Sequence, residues 1–274
     1  MVLSNVVKSY AKSYYARTAR CWFEWRLSRQ PPQFSLDRRH WDQSLQDPTR
    51  FYAECTRFFF QGLPPAYREH RAYFYNVPNN RRGFGENAFH TMWYLLLQEL
   101  TPRNFLEIGV FRGQVISLVA LWARLAGQQC DVWGISPFTG AGDSTSKYRR
   151  DLDYQSDTLR NFEHFNLPRP NLVRASSLDS EAVRLIGSKT WDLVYIDGNH
   201  DYEVANQDWE LCSRNVKPGG IIVLDDAGLF TAYAPRIFST AGIEGPSRLA
   251  REIDRSRFRE VLQVGHNRAF QRIA

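Results

Sequence analysis

Three clusters of residues in this chain have the types and spacing to do chemistry. The first is Glu107-Ile108-Gly109-Val110-Phe111-Arg112-Gly113, an acidic residue leading into a glycine-bearing turn. The second is Asp197-Gly198-Asn199-His200-Asp201-Tyr202, and the third is Asp225-Asp226 after Lys217-Pro218-Gly219-Gly220. Carboxylates brought together repel one another unless a cation neutralises them. Hard oxygen donors of this kind suit Mg²⁺, which keeps places for water or substrate oxygens. A bound divalent ion lowers the pKa of a hydroxyl, and a histidine nearby can take its proton. Singly, Asp226 could cap a turn and His200 could be a satisfied histidine. It is their ordered appearance that points to a site.

The elements that must position these residues begin near residue 86. Ala88–Leu100 reads as a helix closed by Pro102, followed by a strand at Phe105–Ile108 and a helix at Gly113–Leu125. Further strands are expected at Val132–Ile135, Leu172–Arg174, Trp191–Ile196 and Gly220–Leu224, with a helix at Glu203–Asn215. Arg259–Val264 and Arg268–Ile273 flank Gly265-His266-Asn267 as a closing antiparallel hairpin. Strands alternating with helices imply an α/β fold with a mostly parallel sheet covered on both faces. Ligands in such sheets sit beyond the carboxyl ends of the strands, where all three clusters fall. Gly109 permits a tight turn and close backbone approach, and Gly113 suits packing at the helix start. The central glycine of a dinucleotide fingerprint is missing. An acidic residue at the strand end suits a cationic ligand instead, such as S-adenosylmethionine with its ammonium and sulfonium.

With these motifs in view, residues 104–226 resemble the class I S-adenosylmethionine methyltransferases. The resemblance is to the branch of metal-dependent sugar O-methyltransferases of macrolide and aminocoumarin biosynthesis. It is carried by Tyr195-Ile196-Asp197-Gly198-Asn199-His200-Asp201-Tyr202, Lys217-Pro218-Gly219-Gly220 and Asp225-Asp226. The cephalosporin hydroxylase group looks similar in the same stretch. The resemblance implies a Rossmann-like, seven-stranded sheet with an antiparallel C-terminal hairpin and a helical N-terminal extension. It implies Mg²⁺ on Asp197, Asp225 and Asp226, with His200 as base, or Asp197 as in some relatives. Cofactor contacts are expected from Glu107, Gly109, Phe111, Gly113, Ser136, Ser176, Ser177 and Asp197. The implied activity is O-methylation of a sugar hydroxyl in a glycan or glycosylated metabolite. A hydroxylase-like enzyme and a degenerate fold serving attachment are the alternatives.

One departure stands out. Such enzymes usually place an acidic residue at the end of the second strand to hold the ribose diol, and this chain has Ser136. A neutral hydroxyl makes fewer charge-assisted bonds. Asp143 and Asp157, on a long polar insertion expected over residues 139–165, are the candidates to compensate. That insertion could act as a lid. Residues 227–247, with Phe230, Tyr233 and Phe238, are expected to face the acceptor. The turn Gly83-Phe84-Gly85-Glu86 could reach the pocket, although helix initiation explains it more simply.

Charge narrows the class further. The formal net charge is +6, but residues 1–40 hold eight bases against two acids and account for all of it. The remainder is neutral, which argues against a nucleic-acid substrate. Residues 1–80 form a separate basic and aromatic extension in this reading, and 81–274 the catalytic domain. Residues 2–29 read as a helix with Leu3, Val6, Val7, Tyr10 and Tyr14 at helical spacing, stopped by Pro31-Pro32. Such an arm packs on its own domain or a second subunit, making a homo-oligomer, or else lies on an anionic membrane surface. Residues 33–80 are expected to be a helical cap, broken at Pro64-Pro65 and Pro78. No apolar run approaches the ~20 residues needed to cross a bilayer, and no signal-peptide core is visible, so a cytoplasmic protein is expected. The four cysteines form no metal or disulfide pattern and read as buried small side chains.

Overall fold

The computed structural model describes residues 2–75, 82–140, 142–146, 148 and 150–273, with backbone alone for 2–13. The helical spacing before Pro31-Pro32 becomes α1 (Val2–Ser28). The inner positions Phe23 and Leu27 are buried, while Tyr14, Tyr15, Trp22 and Trp25 face outward. The side chains of Leu3, Val6, Val7 and Tyr10, and the break at Pro78, lie outside the described residues. The cap consists of α2 (Asp42–Gln46), α3 (Pro48–Gln61) and α4 (Pro65–Tyr75). Asp47 starts α3 by accepting the Arg50 N–H, with Pro48 in the first turn where its missing donor costs nothing.

The catalytic-type repeat follows in chain order. It runs α5 (Asn87–Leu100), β1 (Asn104–Ile108), α6 (Gln114–Leu125), β2 (Asp131–Ser136), α7 (Tyr154–His164) and β3 (Asn171–Arg174). It continues with α8 (Ser180–Ser188), β4 (Trp191–Ile196), α9 (Tyr202–Asn215), β5 (Val216–Leu224), α10 (Glu244–Glu252), β6 (Phe258–Val264) and β7 (Asn267–Arg272). The strands form one seven-stranded sheet in the order β3-β2-β1-β4-β5-β7-β6. β1 to β5 pair in parallel, and β7 pairs antiparallel with both β5 and β6. β4 is buried along its whole length, as expected of a β-branched and aromatic run covered on both faces.

Alternation along the strands divides the core in two. Leu193 and Tyr195 of β4 pack with Met92, Trp93, Val119 and Trp122 of α5 and α6. Val194 and Ile196 pack on the opposite face with Trp209 of α9 and Leu249 of α10. The first of these clusters also contains Phe23, Leu27, Trp41, Phe51 and Cys55, so the apolar core runs without interruption across the 80/81 position.

One expectation is refined and one needs correcting. The polar segment 139–165 carries a helix in its second half. α7 begins at Tyr154, because the Asp153 carboxylate accepts the Gln155 and Ser156 N–H groups and caps it. The cysteines are free, but only Cys55 and Cys212 are buried, Cys130 is half-buried and Cys21 is exposed on α1. Among the described residues no helix is long and apolar enough to cross a membrane.

Candidate active site

The strand ends are tied to one another by backbone. Gly109 N–H bonds Ile135 O, Asp197 N–H bonds Ile108 O, and Asp225 N–H bonds Ile196 O. Gly109 has φ +95°, and a Cβ there would stand 2.0 Å from the Asp197 carbonyl oxygen. Only glycine lets the two loops close to this distance. A cleft of about 240 Å³ opens beside them, bordered by Gly109, Phe111, Ser136, Ser176, Ser177 and Asp197. The structure thus gathers six of the expected cofactor residues in one place. Gly113 does not border this cleft. It starts α6 at φ +76°, against Thr158.

Glu107 lies apart from the cleft but borders a second, larger cavity of about 720 Å³. It is 3% exposed, and its Oε2 has no hydrogen-bond partner. Burial pushes its pKa up to about 8, against the opposing bond from the Ile116 N–H. A desolvated carboxyl with an unused oxygen is a ready seat for an ammonium group.

The residues proposed to compensate for Ser136 are both committed elsewhere. Asp157 is held by Arg112, by Arg82 at 2.8 Å and by Arg160 at 3.0 Å, and cannot serve as a free ribose acceptor. Asp143 does border the cleft, but it accepts the His200 N–H at 2.9 Å and pairs with His200 Nδ1. Ser136 Oγ itself accepts the Phe138 N–H at 3.3 Å. Asp157 is structural, and Asp157→Asn should cost about 3–5 kcal/mol by removing the charge that pairs with the buried Arg112 guanidinium. Urea unfolding measures this. A loss below about 1 kcal/mol would mean that the pair carries no such weight.

The remaining polar groups meet at the carboxyl rim between β4, β5 and the β6–β7 turn. His200 Nε2 lies 3.4 Å from Asp226 Oδ2, while its Nδ1 faces Asp143. His266 Nε2 lies 3.4 Å from Asp225 Oδ1 and 3.8 Å from Asp226 Oδ1. Burial alone would lower the His200 pKa, but the Asp226 and Asp143 carboxylates bring it up to about 9. Burial and the neighbouring Asp225 hold Asp197 well above the ordinary carboxylate range. Asp225 is likewise raised by burial and by Asp226. Against its own burial, Asp226 is lowered by the His200 bond and the two imidazoles.

Donor chemistry fits a divalent cation here, since a crowd of half-buried carboxylates otherwise shares too few positive charges. The expected trio was Asp197, Asp225 and Asp226. The donor atoms that lie within 4.8 Å of one another belong to Asp225, Asp226 and His266. Asp197 instead hydrogen-bonds Asp225 and, with Gly109, Phe111 and Tyr148, borders both cavities.

Sequence reasoning missed His266, read only as part of a hairpin turn. The signal was topological: a hairpin pairing beside β5 must bring its turn to the rim that Asp225 and Asp226 occupy. It also missed Arg20 of α1 and His90 of α5, which border the larger cavity. The Gly83–Glu86 turn does reach that cavity as well as starting α5, and Glu86 accepts Tyr52 and Ser239 hydroxyls at 2.8 and 3.2 Å. Of the aromatics expected at the acceptor, Phe238 borders the cavity. Tyr233 is buried behind it against Tyr52, and Phe230 lies outside under Arg251.

With this geometry in hand, residues 106–227 match a protein family described as a methyltransferase domain. These residues form a methyltransferase domain. The rim and cleft fall inside the matched span, except for His266 and the walls contributed by α1 and α5. Uncharacterized protein R132 of Acanthamoeba polyphaga mimivirus is 25% identical over 148 residues, covering 51% of this chain and 60% of that one. The chain thus matches well under two thirds of that relative's length. Among solved structures, the SAH-bound Podospora anserina methyltransferase PaMTH1 superposes with a TM-score of 0.57 at 14% identity, covering 84% of this chain and 96% of that one. The O-methyltransferase from Bacillus cereus in complex with SAH gives 0.50 at 15% identity, with 86% and 100% covered. The O-methyltransferase NovP gives 0.52 at 15% identity, with 75% and 88% covered. At these identities the likeness establishes the Rossmann-like methyltransferase fold, antiparallel hairpin included.

Proposed function

We propose that the protein transfers a methyl group from S-adenosylmethionine to an acceptor hydroxyl, with a divalent cation at the rim. The observation that carries this reading is the meeting of the two cavities at Asp197. A nucleoside-sized cleft lies on one side, and the carboxylate–imidazole corner lies on the other. In this reading Ser136, Ser176 and Ser177 face the nucleoside, and Glu107 holds the ammonium of the methionine end. The sulfonium supplies the electrophilic methyl group. Asp225 and Asp226 would hold the cation, Mg²⁺ on the family resemblance, and a bound cation would lower the pKa of an acceptor hydroxyl. His200, oriented by Asp143, would take the hydroxyl proton once a cation on Asp226 offsets the carboxylate that helps hold its pKa near 9, and catalysis comes mainly from positioning.

The acceptor we propose is a sugar ring of a glycan or glycosylated metabolite. The larger cavity is bordered by Tyr75 and Phe238 beside the polar groups of Arg20 and Glu86, which suits a ring with apolar faces and a polar edge. Incubation with methyl-labelled S-adenosylmethionine and a panel of glycosides, read by mass spectrometry, tests this directly. An added mass of one methyl group on oxygen is expected. Failure to bind S-adenosylhomocysteine at millimolar concentration would defeat the reading.

Glu107 gives an independent check. With a pKa near 8 it is mostly protonated at pH 7, and an ammonium ligand favours its charged form. Binding of S-adenosylhomocysteine at pH 7 should therefore release a proton, and affinity should rise with pH until about 8. Calorimetry in buffers of different ionisation enthalpy measures the release. Glu107→Gln should abolish it and weaken binding by 1.5–3 kcal/mol, about 10- to 100-fold, as for a charged hydrogen bond. Proton release that persists in the variant would assign the effect elsewhere.

A further inference from the structure

We propose that the cation site is built from Asp225, Asp226 and His266, and that the imidazole selects a first-row transition ion over Mg²⁺. The inference builds on the cation-assisted reading above, yet the site's existence does not depend on the methyl-transfer chemistry.

His266 is positioned as metal-binding histidines are. Its Nδ1 donates to the Thr240 carbonyl oxygen at 3.1 Å, which leaves Nε2 turned toward the two carboxylates. An outer carbonyl on the far nitrogen fixes tautomer and ring orientation, and is the usual companion of a ligating imidazole. The ring is buried, with Phe89 across it at 4.7 Å, so it cannot swing away into solvent. Asp226 divides its oxygens between two histidines. Oδ1 faces His266, and Oδ2 faces His200. His200 therefore stays outside the converging trio and borders the larger cavity beside it.

A second, independent observation points to a ligand here. Asn267, the next residue, is 2% exposed and borders the same cavity, and its Oδ1 has no hydrogen-bond donor. A buried side-chain carbonyl oxygen left unpaired is costly unless something unseen in the protein itself satisfies it. The backbone holds the donors rigidly. Ala227 N–H bonds His266 O at 2.8 Å and Ile243 N–H bonds Asp226 O at 2.8 Å, so β5, the hairpin turn and the loop before α10 are pinned together.

Two carboxylates and one nitrogen make a mixed donor set. Mg²⁺ prefers oxygen throughout and gives up water reluctantly, whereas imidazole suits later first-row ions. Replacing an expected aspartate by histidine in the converging set therefore moves the preference away from Mg²⁺.

The test uses the full chain, stripped with chelator and dialysed. Co²⁺ and Mn²⁺ are titrated in turn, Mg²⁺ is used as competitor, and S-adenosylhomocysteine binding is followed separately by calorimetry. One Co²⁺ per chain is expected, and pulsed EPR of bound Mn²⁺ should show coupling to a nitrogen-14 nucleus. His266→Asn should weaken Co²⁺ binding by about 100-fold, the upper end of what even outer-sphere changes cost. Mg²⁺ should lose far less. Nitrogen coupling absent from the wild type, or Co²⁺ affinity unchanged in His266→Asn, overturns the proposal. Should that variant not fold, His200→Gln decides: coupling that persists supports His266 as the ligand, and coupling that vanishes overturns it. Metal binding without S-adenosylhomocysteine binding would sink the methyl-transfer reading and leave the site standing.

Discussion

Asp225→Asn is expected to yield an inactive enzyme that is more stable than the parent once chelated. Removing a carboxylate from the cation corner takes away a stabilisation of several kcal/mol at the reacting oxygen, so turnover should fall about a thousandfold. The same change relieves a buried conflict. Asp225 is raised by burial and by Asp226, while Asp197 is raised by burial and by Asp225. A group whose folded pKa is raised costs stability wherever it must ionise, above its unfolded value. A neutral amide in its place removes that cost, and the chelated variant should melt several degrees higher. Binding of S-adenosylhomocysteine should be nearly unchanged, because the nucleoside cleft does not include Asp225. Thermal melts in EDTA, together with calorimetry and turnover, separate these outcomes. A variant that melts lower than the parent would show that the carboxylates are not in conflict. Retained turnover would remove Asp225 from the chemistry.

Gly109→Ala should be the most damaging single methyl group in the domain. The residue sits at φ +95°, a region that costs an alanine about 1–3 kcal/mol. Its new Cβ would also meet the backbone of Asp197 and Gly198, at 2.0 Å from the Asp197 oxygen and 2.5 Å from the Gly198 Cα. Neither neighbour is a flexible side-chain tip, so both strand ends must part, for about another 1–3 kcal/mol. Loss of S-adenosylhomocysteine binding should accompany the loss of stability, since the same two loops border the cleft. Gly127→Ala supplies the control. It has φ +63° with nothing within 4 Å, so only the backbone cost applies. Equal destabilisation by the two substitutions, measured in urea, would mean that the close approach of the loops is not what Gly109 provides.

Much of the fold could be read from the sequence because parallel strands buried on both faces leave an unmistakable trace. Trp191–Ile196 is apolar but for Asp192 and bounded by turns, and its neighbours alternate with helical patterns of ordinary length. The rim followed from the rule that ligands lie beyond the carboxyl ends of such strands, which singled out Glu107, Asp197, His200 and the aspartate pair. What stayed hidden depends on contacts between distant segments. His266 carries no local mark of function, and only the strand order β5-β7-β6 brings its turn to the rim. Asp143 and Asp157 were indistinguishable as acidic residues on a polar stretch, until the helix cap at Asp153 put one among three arginines and left the other on His200. Arg20 belongs to a helix that looked like an appendage, and it takes part in the cavity through the packing of Phe23 and Leu27 beside it.

The hairpin origin of His266 also separates the two halves of the site in time. Every described residue bordering the cleft lies between positions 108 and 204, while the proposed cation corner needs residues 225, 226 and 266. At ribosomal speeds of about 5–20 residues per second, the imidazole follows the aspartate pair by about 2–8 seconds. During that interval a growing chain carries its acidic rim without the nitrogen donor that completes it. Nascent chains therefore have the cleft residues synthesised well before they have the imidazole proposed here to choose a metal.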